Sequence, residues 1–215
     1  MEYNVNRYRD LLIDENTRQN LVSRKSIDSE LDMHIQDSLA ITNYLDINRQ
    51  KIIDIGSGAG FPGLILAMHC PEASFTLVES DKKKSAFLSR VVQEIGLKNT
   101  IVINRRVEDV GQDSNFREGF DICTARAVAP LQVLLEYGIP LLKTGGRLAL
   151  WKGINYLTEI EAARQALSVL QSEVEEVFQY NLMGERDRAM VLIRKHQNTP
   201  ARYPRRVGIP AKRPL

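Results

Sequence analysis

The chain has 215 residues, 43% of them hydrophobic and 26% charged, with a net charge of +2. That composition fits a soluble globular protein with one full domain and extensions. No apolar run approaches the roughly 20 residues needed to span a bilayer. The opening Met1-Glu2-Tyr3-Asn4 lacks the charged-then-apolar form of a leader. Two cysteines, Cys70 and Cys123, make no disulfide framework, and His34, His69 and His196 form no metal-ligand spacing with them. A cytoplasmic protein without a metal is expected, and no apolar stripe compels a dimer, so a monomer is expected too.

Residues 1–48 read as helical, and residues 1–50 carry a net charge of −3. Tyr8, Leu11 and Leu12 share one face, and Leu31, Ile35, Leu39 and Leu45 recur near helical spacing. This predicts an N-terminal helical extension packed on a main domain spanning 49–196. In that domain strand and helix patterns alternate. The candidate strands are 51–55, 74–79, 100–104, 120–124 and 146–151, and the candidate helices are 63–69, 82–95, 130–142 and 155–171. Gly96 suits a helix end and Gly145-Gly146 a turn. Two further strands, 174–181 and 188–195, are too close for a helical crossover and predict an antiparallel hairpin turning near Gly184. The fold expected is α/β: a doubly wound, mostly parallel seven-stranded sheet of the Rossmann-like class, closed by that hairpin.

The most informative stretch is Asp54-Ile55-Gly56-Ser57-Gly58-Ala59-Gly60-Phe61-Pro62-Gly63. An apolar run ends in an acid, three alternate glycines follow, and a helix pattern begins. The glycines permit a sharp strand-to-helix turn and let a ligand touch the backbone. The dinucleotide pattern Gly-x-Gly-x-x-Gly fits only when read from Gly58. The form Asp54, Gly56, Gly58, Gly60 fits better and is typical of S-adenosylmethionine (SAM) methyltransferases. Glu79, at the end of the next strand, lies 23 positions after Gly56. That is near the spacing of about 20 for an acid that binds ribose hydroxyls. A solvated strand-end residue before Lys82, Lys83 and Lys84 is the bland alternative.

Ligands of such sheets sit beyond the carboxyl ends of the strands. Gly56 to Phe61, Glu79, Arg106 to Glu108, Thr124 to Arg126 and Trp151 to Gly153 are therefore candidates. Cys123 lies inside a strand and not after proline, so it reads as a small core residue rather than a nucleophile. The loop after the fourth strand, Thr124-Ala125-Arg126-Ala127-Val128-Ala129-Pro130, lacks the Asn/Asp-Pro-Pro-aromatic form that methylates exocyclic amines. A ring nitrogen with a free lone pair needs no general base, and the sequence offers no obvious one. Arg126, beside a buried strand, requires a partner. Glu79, Glu108, the SAM carboxylate, and a guanine or phosphate are the options, with a structural ion pair as the alternative.

Residues 197–215 hold five basic residues, no acid, and four of the eight prolines. Such a segment cannot continue a helix or central strand. It is expected to grip nucleic-acid phosphates, with Tyr203 as a stacking surface, or else to be a disordered solubilising end.

Several segments together resemble one family: Asn20-Leu21-Val22-Ser23, His34-Ile35-Gln36-Asp37-Ser38-Leu39, the glycine stretch with its Gly-x-Pro-Gly ending, Val78-Glu79-Ser80, Arg126-Ala127 and Lys152-Gly153. The chain resembles the RsmG family, also called glucose-inhibited division protein B, over nearly its whole length. The resemblance implies a SAM-dependent methyltransferase acting on guanine N7 in the 530 loop of bacterial 16S rRNA, with the small ribosomal subunit as partner. It implies a SAM site of Gly56, Phe61, the backbone around Val107-Glu108, and Arg126, with Glu79 as ribose contact. Asn20, His34 and Arg186 take positions typical of polar residues on the substrate side. A helix-packing histidine and a helix-end cap are the plain alternatives for His34 and Asn20. The segment between Glu108 and Arg126 is long for the family, and Gly111 to Gly119 reads as a polar loop. A small-molecule methyltransferase, a nicotinamide-dependent dehydrogenase and a non-catalytic ribosome-binding module are the competing functions.

Overall fold

The computed structural model describes residues 2–22, 27–182 and 186–215, apart from the side chains at 2, 3, 27–29 and 186. Two helices open the chain, α1 (Glu2–Asn16) and α2 (Ile27–Leu39), followed by a 3-10 turn at Ala40–Asn43. Then come β1 (Lys51–Ile55), α3 (Gly63–His69), β2 (Ser74–Val78), α4 (Lys82–Ile95), β3 (Thr100–Ile103), α5 (Val107–Gln112) and β4 (Phe120–Arg126). After α6 (Leu131–Gly138) run β5 (Leu142–Lys152), α7 (Tyr156–Ala162), α8 (Arg164–Val169), β6 (Ser172–Leu182), β7 (Arg186–Lys195) and α9 (Ile209–Lys212). Among the described residues no helix is long and apolar enough to cross a membrane.

The sheet has seven strands in the order β3-β2-β1-β4-β5-β7-β6, with β7 antiparallel to both its neighbours. The expected architecture is thus the observed one. The chain moves outward from β1 through β3, then restarts on the other side with β4. The topological switch point, where such folds bind ligands, therefore lies between β1 and β4.

Strand alternation divides the core. Ile53, Ile55, Cys123, Ala125, Leu148, Leu150, Val191 and Ile193 face one way, toward α5, α6 and α8. Ile52, Ile122, Ala149, Met190 and Leu192 face the other, toward α3 and the 3-10 turn. Asp54, Thr124 and Arg126 share the second parity. That parity is why Arg126 meets the N-terminal helices.

Local chemistry explains several boundaries. Asp81 caps α4 by accepting from the Lys83 and Lys84 amides, and Gly96 ends it at φ 75°. Pro140, lacking an N–H, turns the end of the predicted 130–142 helix into a 3-10 turn at Ile139–Leu141. The predicted helix 155–171 is two short helices broken at Ala163. Gly145-Gly146 lie inside β5, at a register shift in the β4–β5 pairing, because β5 begins at Leu142. Helix α5 stands where part of a polar loop was expected. It has six residues, too few to display a period.

The C-terminal segment corrects two expectations, the disordered end and the stacking role of Tyr203. Arg117 donates to the carbonyls of Tyr203 (2.6 Å) and Thr199 (2.7 Å). Gln112 Nε2 donates to Pro204 O at 2.6 Å, and the Gly208 amide donates to Glu108 Oε1 at 2.9 Å. Arg205 grips the fully buried Glu136 with two nitrogens. Tyr203 is only 5% exposed, so its ring is core and not a stacking surface. The segment is a strap over α5 and α6.

Candidate active site

The glycine stretch links β1 to α3 across the top of the sheet. Gly56, Gly58 and Gly60 all have positive φ, at 67°, 56° and 109°. At Gly58 an added Cβ would meet only the Gly56 carbonyl, at 3.8 Å, so the space above it is open to a ligand. At Gly63 the reason for glycine is packing: an added Cβ would stand 2.4 Å from Leu77 Cδ2 and 2.7 Å from Asp54 Oδ2.

Glu79 reaches back to this loop. Its Oε2 accepts from the Gly58 amide at 2.9 Å and its Oε1 from the Asp81 amide at 2.8 Å. The carboxylate is therefore fixed in place while each oxygen keeps a free lone pair. This arrangement suits a ribose diol beside the loop, so the residues present fit SAM. Asp54 lies behind the loop, fully buried. Its Oδ1 accepts from Thr124 Oγ1 at 2.7 Å, while Oδ2 has no hydrogen-bond partner among the described residues. Burial pushes its carboxyl up to about 6, with the Thr124 bond opposing. Asp54 supports the turn from behind rather than facing a ligand.

Val107 and Glu108 form the first turn of α5, just past β3. The Glu108 side chain is buried and already accepts from Gly208 in the strap. That leaves the backbone of this turn, and not the Glu108 side chain, as the contact the sequence reading assigned to a cofactor.

Arg126 is the last residue of β4. It pairs with neither Glu79 nor Glu108, the partners considered from the sequence. Its Nη1 donates to Asp37 Oδ2 at 2.9 Å and to the His34 carbonyl at 3.3 Å. Its guanidinium lies 4.8 Å from the Phe61 ring centroid. The Phe61 ring also meets His34, at 5.2 Å, and the edge of Tyr8, at 5.8 Å. Tyr8 in turn donates to the Ala59 carbonyl at 2.8 Å. The N-terminal helices thus build one wall of the glycine loop. A cation over an aromatic face and against a carboxylate is held in one orientation.

Asp37 is the residue that sequence reasoning missed, although it lies within the quoted His34 to Leu39 segment. It is 3% exposed and ties four elements together. Its carboxylate holds Arg126, accepts from Tyr180 OH at 2.7 Å on β6, and stands 3.9 Å from Arg188 Nε on β7. Its carbonyl accepts from Trp151 Nε1 at 2.6 Å. The hint available in sequence was an acid in the middle of an apolar helix pattern.

Beside this cluster opens a cleft of about 740 Å³, walled by His34, Asp37, Arg126, Trp151, Lys152 and Arg188. The volume suits a nucleoside-sized ligand. Its rim includes Val128, whose side chain packs on Gly56 and so separates the cleft from the glycine loop. Lys152 Nζ bonds Glu159 Oε2 at 2.7 Å and the Ala129 carbonyl at 3.2 Å. Glu159 also accepts from the Leu131 amide at 2.8 Å. These bonds pin the 127–130 loop, in which Ala127 takes a positive φ of 57°. Arg186 opens β7, but its side chain lies outside the described residues. Arg188, two positions on along the same strand, lines the cleft. Asn20 is exposed between α1 and α2 and does not line the cleft. Asn16, at the end of α1, braces the loop that follows, its Oδ1 accepting from the Leu21 and Val22 amides.

A seven-stranded sheet with one reversed strand, a glycine loop after β1 and an acid after β2 define the class I SAM-dependent methyltransferase fold. Solved structures agree. The M. jannaschii protein TYW2 in complex with AdoMet superposes with a TM-score of 0.58 at 14% identity, covering 83% of this chain and 78% of that one. The B. subtilis m1A22 tRNA methyltransferase TrmK superposes with a TM-score of 0.58 at 18% identity, covering 77% and 66%. The chain belongs to the GidB family, rRNA small subunit methyltransferase G, whose model matches residues 1–190. A protein of Syntrophomonas wolfei named ribosomal RNA small subunit methyltransferase G is 55% identical over 215 residues, the whole of both chains. Its Carboxydothermus hydrogenoformans namesake is 44% identical over 210 residues, 97% of this chain and 89% of that one.

Proposed function

We propose that the chain transfers the methyl group of SAM to N7 of a guanine in the 530 loop of 16S rRNA. Family membership supplies the target. The observation in the fold that carries the reading is the cleft past the carboxyl ends of β4 and β5, next to the switch point, whose wall sets Arg126, Lys152 and Arg188 beside Asp37 and Glu159. Such a wall suits a guanine nucleotide, whose O6 accepts from a cationic donor while the N7 lone pair stays free for the methyl.

When bound, SAM supplies an electrophilic methyl on a sulfonium. Guanine N7 attacks with its own lone pair, the C–S bond breaks, and no proton leaves the attacking atom. A general base is therefore unnecessary, and positioning does the catalytic work. The backbone at Gly56 and Gly58 and the Glu79 carboxylate would hold the nucleoside part of SAM. The Val107-Glu108 backbone would border the base. Arg126, oriented by Asp37 and Phe61, stands between the glycine loop and the cleft, where it serves the SAM carboxylate or the guanine edge. His34 closes the far wall. The partner is the small ribosomal subunit or its rRNA, which places the activity in the cytoplasm.

The test is transfer of labelled methyl from SAM to small subunits lacking the modification, followed by nucleoside analysis. Label in 7-methylguanosine within the 530 loop is expected. Label in another nucleoside rejects the target atom, and no label despite SAM binding rejects rRNA as the substrate.

A further inference from the structure

We propose that the C-terminal strap is a preorganised docking surface for rRNA phosphates, presented by Arg202, Arg206, Lys212 and Arg213. This rests on rRNA being the substrate.

The strap separates two kinds of residue. Its anchors face inward: Tyr203, Pro204 and Pro210 are buried, and Arg205 is committed to Glu136. Its other four cations face outward and are exposed. Among the described residues Arg205 is the cation of this segment that forms an ion pair, and the other four have no carboxylate within 4.0 Å. Arg202 is only steadied, with its guanidinium 4.9 Å from the Tyr203 ring centroid. A strap that served packing alone would need the anchors and no more. Yet residues 197–215 contain five basic residues and no acid, while the rest of the chain is net negative.

The placement fits a substrate contact. Gly208 bonds Glu108 in the first turn of α5, immediately past β3. This end of the strap therefore reaches the carboxyl edge of the sheet, on which the glycine loop and the cleft open, while Ala201 and Pro204 lie against Gln112 at the other end of α5. An RNA held in the cleft and running along this edge meets the Arg206 end of the strap first and can continue over α5 to Arg202. The anchors also fix the backbone that carries the cations, which lowers the ordering cost of binding.

The test replaces the four outward cations with alanine, leaving Arg205 and every anchor intact. Binding to naked 16S rRNA is measured by filter retention across a salt series, together with methyl transfer to subunits. KM for the RNA substrate is expected to rise at least about tenfold, and the slope of log affinity against log salt to become shallower by about 3. The kcat, SAM affinity and Tm are expected to hold. An unchanged KM and salt slope would overturn the proposal and leave the strap purely structural. A loss on assembled subunits but not on naked rRNA would also overturn it, pointing to an acidic protein partner. Weakened SAM binding would overturn it in favour of a cofactor-site role. If the wild type transfers no methyl to rRNA, the proposed function fails separately, because the binding arm needs no turnover.

Discussion

Replacing Asp37 by asparagine tests whether the N-terminal helices are part of the active site or only packed beside it. The carboxylate is 3% exposed and uses one oxygen for Arg126 and the other for Tyr180. Asparagine keeps one acceptor and turns the other into a donor, so one of these two donors must lose its partner. Arg126 is 12% exposed at its side chain, and its remaining acceptor is the His34 carbonyl at 3.3 Å. Breaking a buried ion pair costs about 3–5 kcal/mol. Residual exposure of Arg126 and the surviving carbonyl bond argue for the lower end, about 3 kcal/mol. For a domain of this size that lowers Tm by about 6–12 °C. Arg126→Met removes the other partner, so the two changes together should cost about 2 kcal/mol less than the sum of the singles. Thermal unfolding of the four proteins gives the cycle, and methyl transfer to rRNA is measured in parallel, with kcat/KM for Asp37→Asn expected to fall at least about tenfold as Arg126 loses its orientation. Additive stability effects, or a Tm change under about 2 °C, would refute the pairing as a real constraint.

Asp54 predicts a pH signature. Burial raises its carboxyl to about 6, above the unfolded value near 3.9, so the folded state holds the extra proton between those two values. Its contribution is present below the unfolded value and is lost as pH rises through about 6. Asp54→Asn is therefore expected to gain on the wild type by about 2–3 kcal/mol between pH 4 and pH 7. A stability difference that does not vary with pH contradicts this. Two glycines separate ligand effects from packing effects. Gly58→Ala places its methyl in open space at a φ of 56°, so about 1–2 kcal/mol of strain is expected, with SAM binding weakened at least about tenfold. Gly63→Ala drives its methyl into Leu77 and Asp54, so about 1–3 kcal/mol of stability is lost while the surface over Gly58 is untouched. Equal losses of SAM affinity in both variants, by titration calorimetry, would mean that the loop responds as one unit.

The order in which these features become visible follows from how far apart their parts lie in the chain. The βα alternation, the glycine turn and the antiparallel hairpin are encoded in runs of 5 to 15 residues, so their types are legible from local pattern. Helix α5 is not, because six residues cannot show a period. The orienting cluster is not, because Asp37 meets Arg126 across 89 positions, Trp151 across 114 and Tyr180 across 143. From sequence, Asp37 is one more acid on a helix of a net-negative extension. Only the fold shows that α2 turns it inward. The strap fails to read correctly for the same reason: Arg205 finds Glu136 across 69 positions, so composition counts a committed cation together with free ones. Local pattern therefore identifies the half of the site that binds a cofactor, where turn and ligand contact are the same few residues. The half proposed to receive the substrate is assembled from four distant elements, and its chemistry depends on which buried carboxylate each arginine finds.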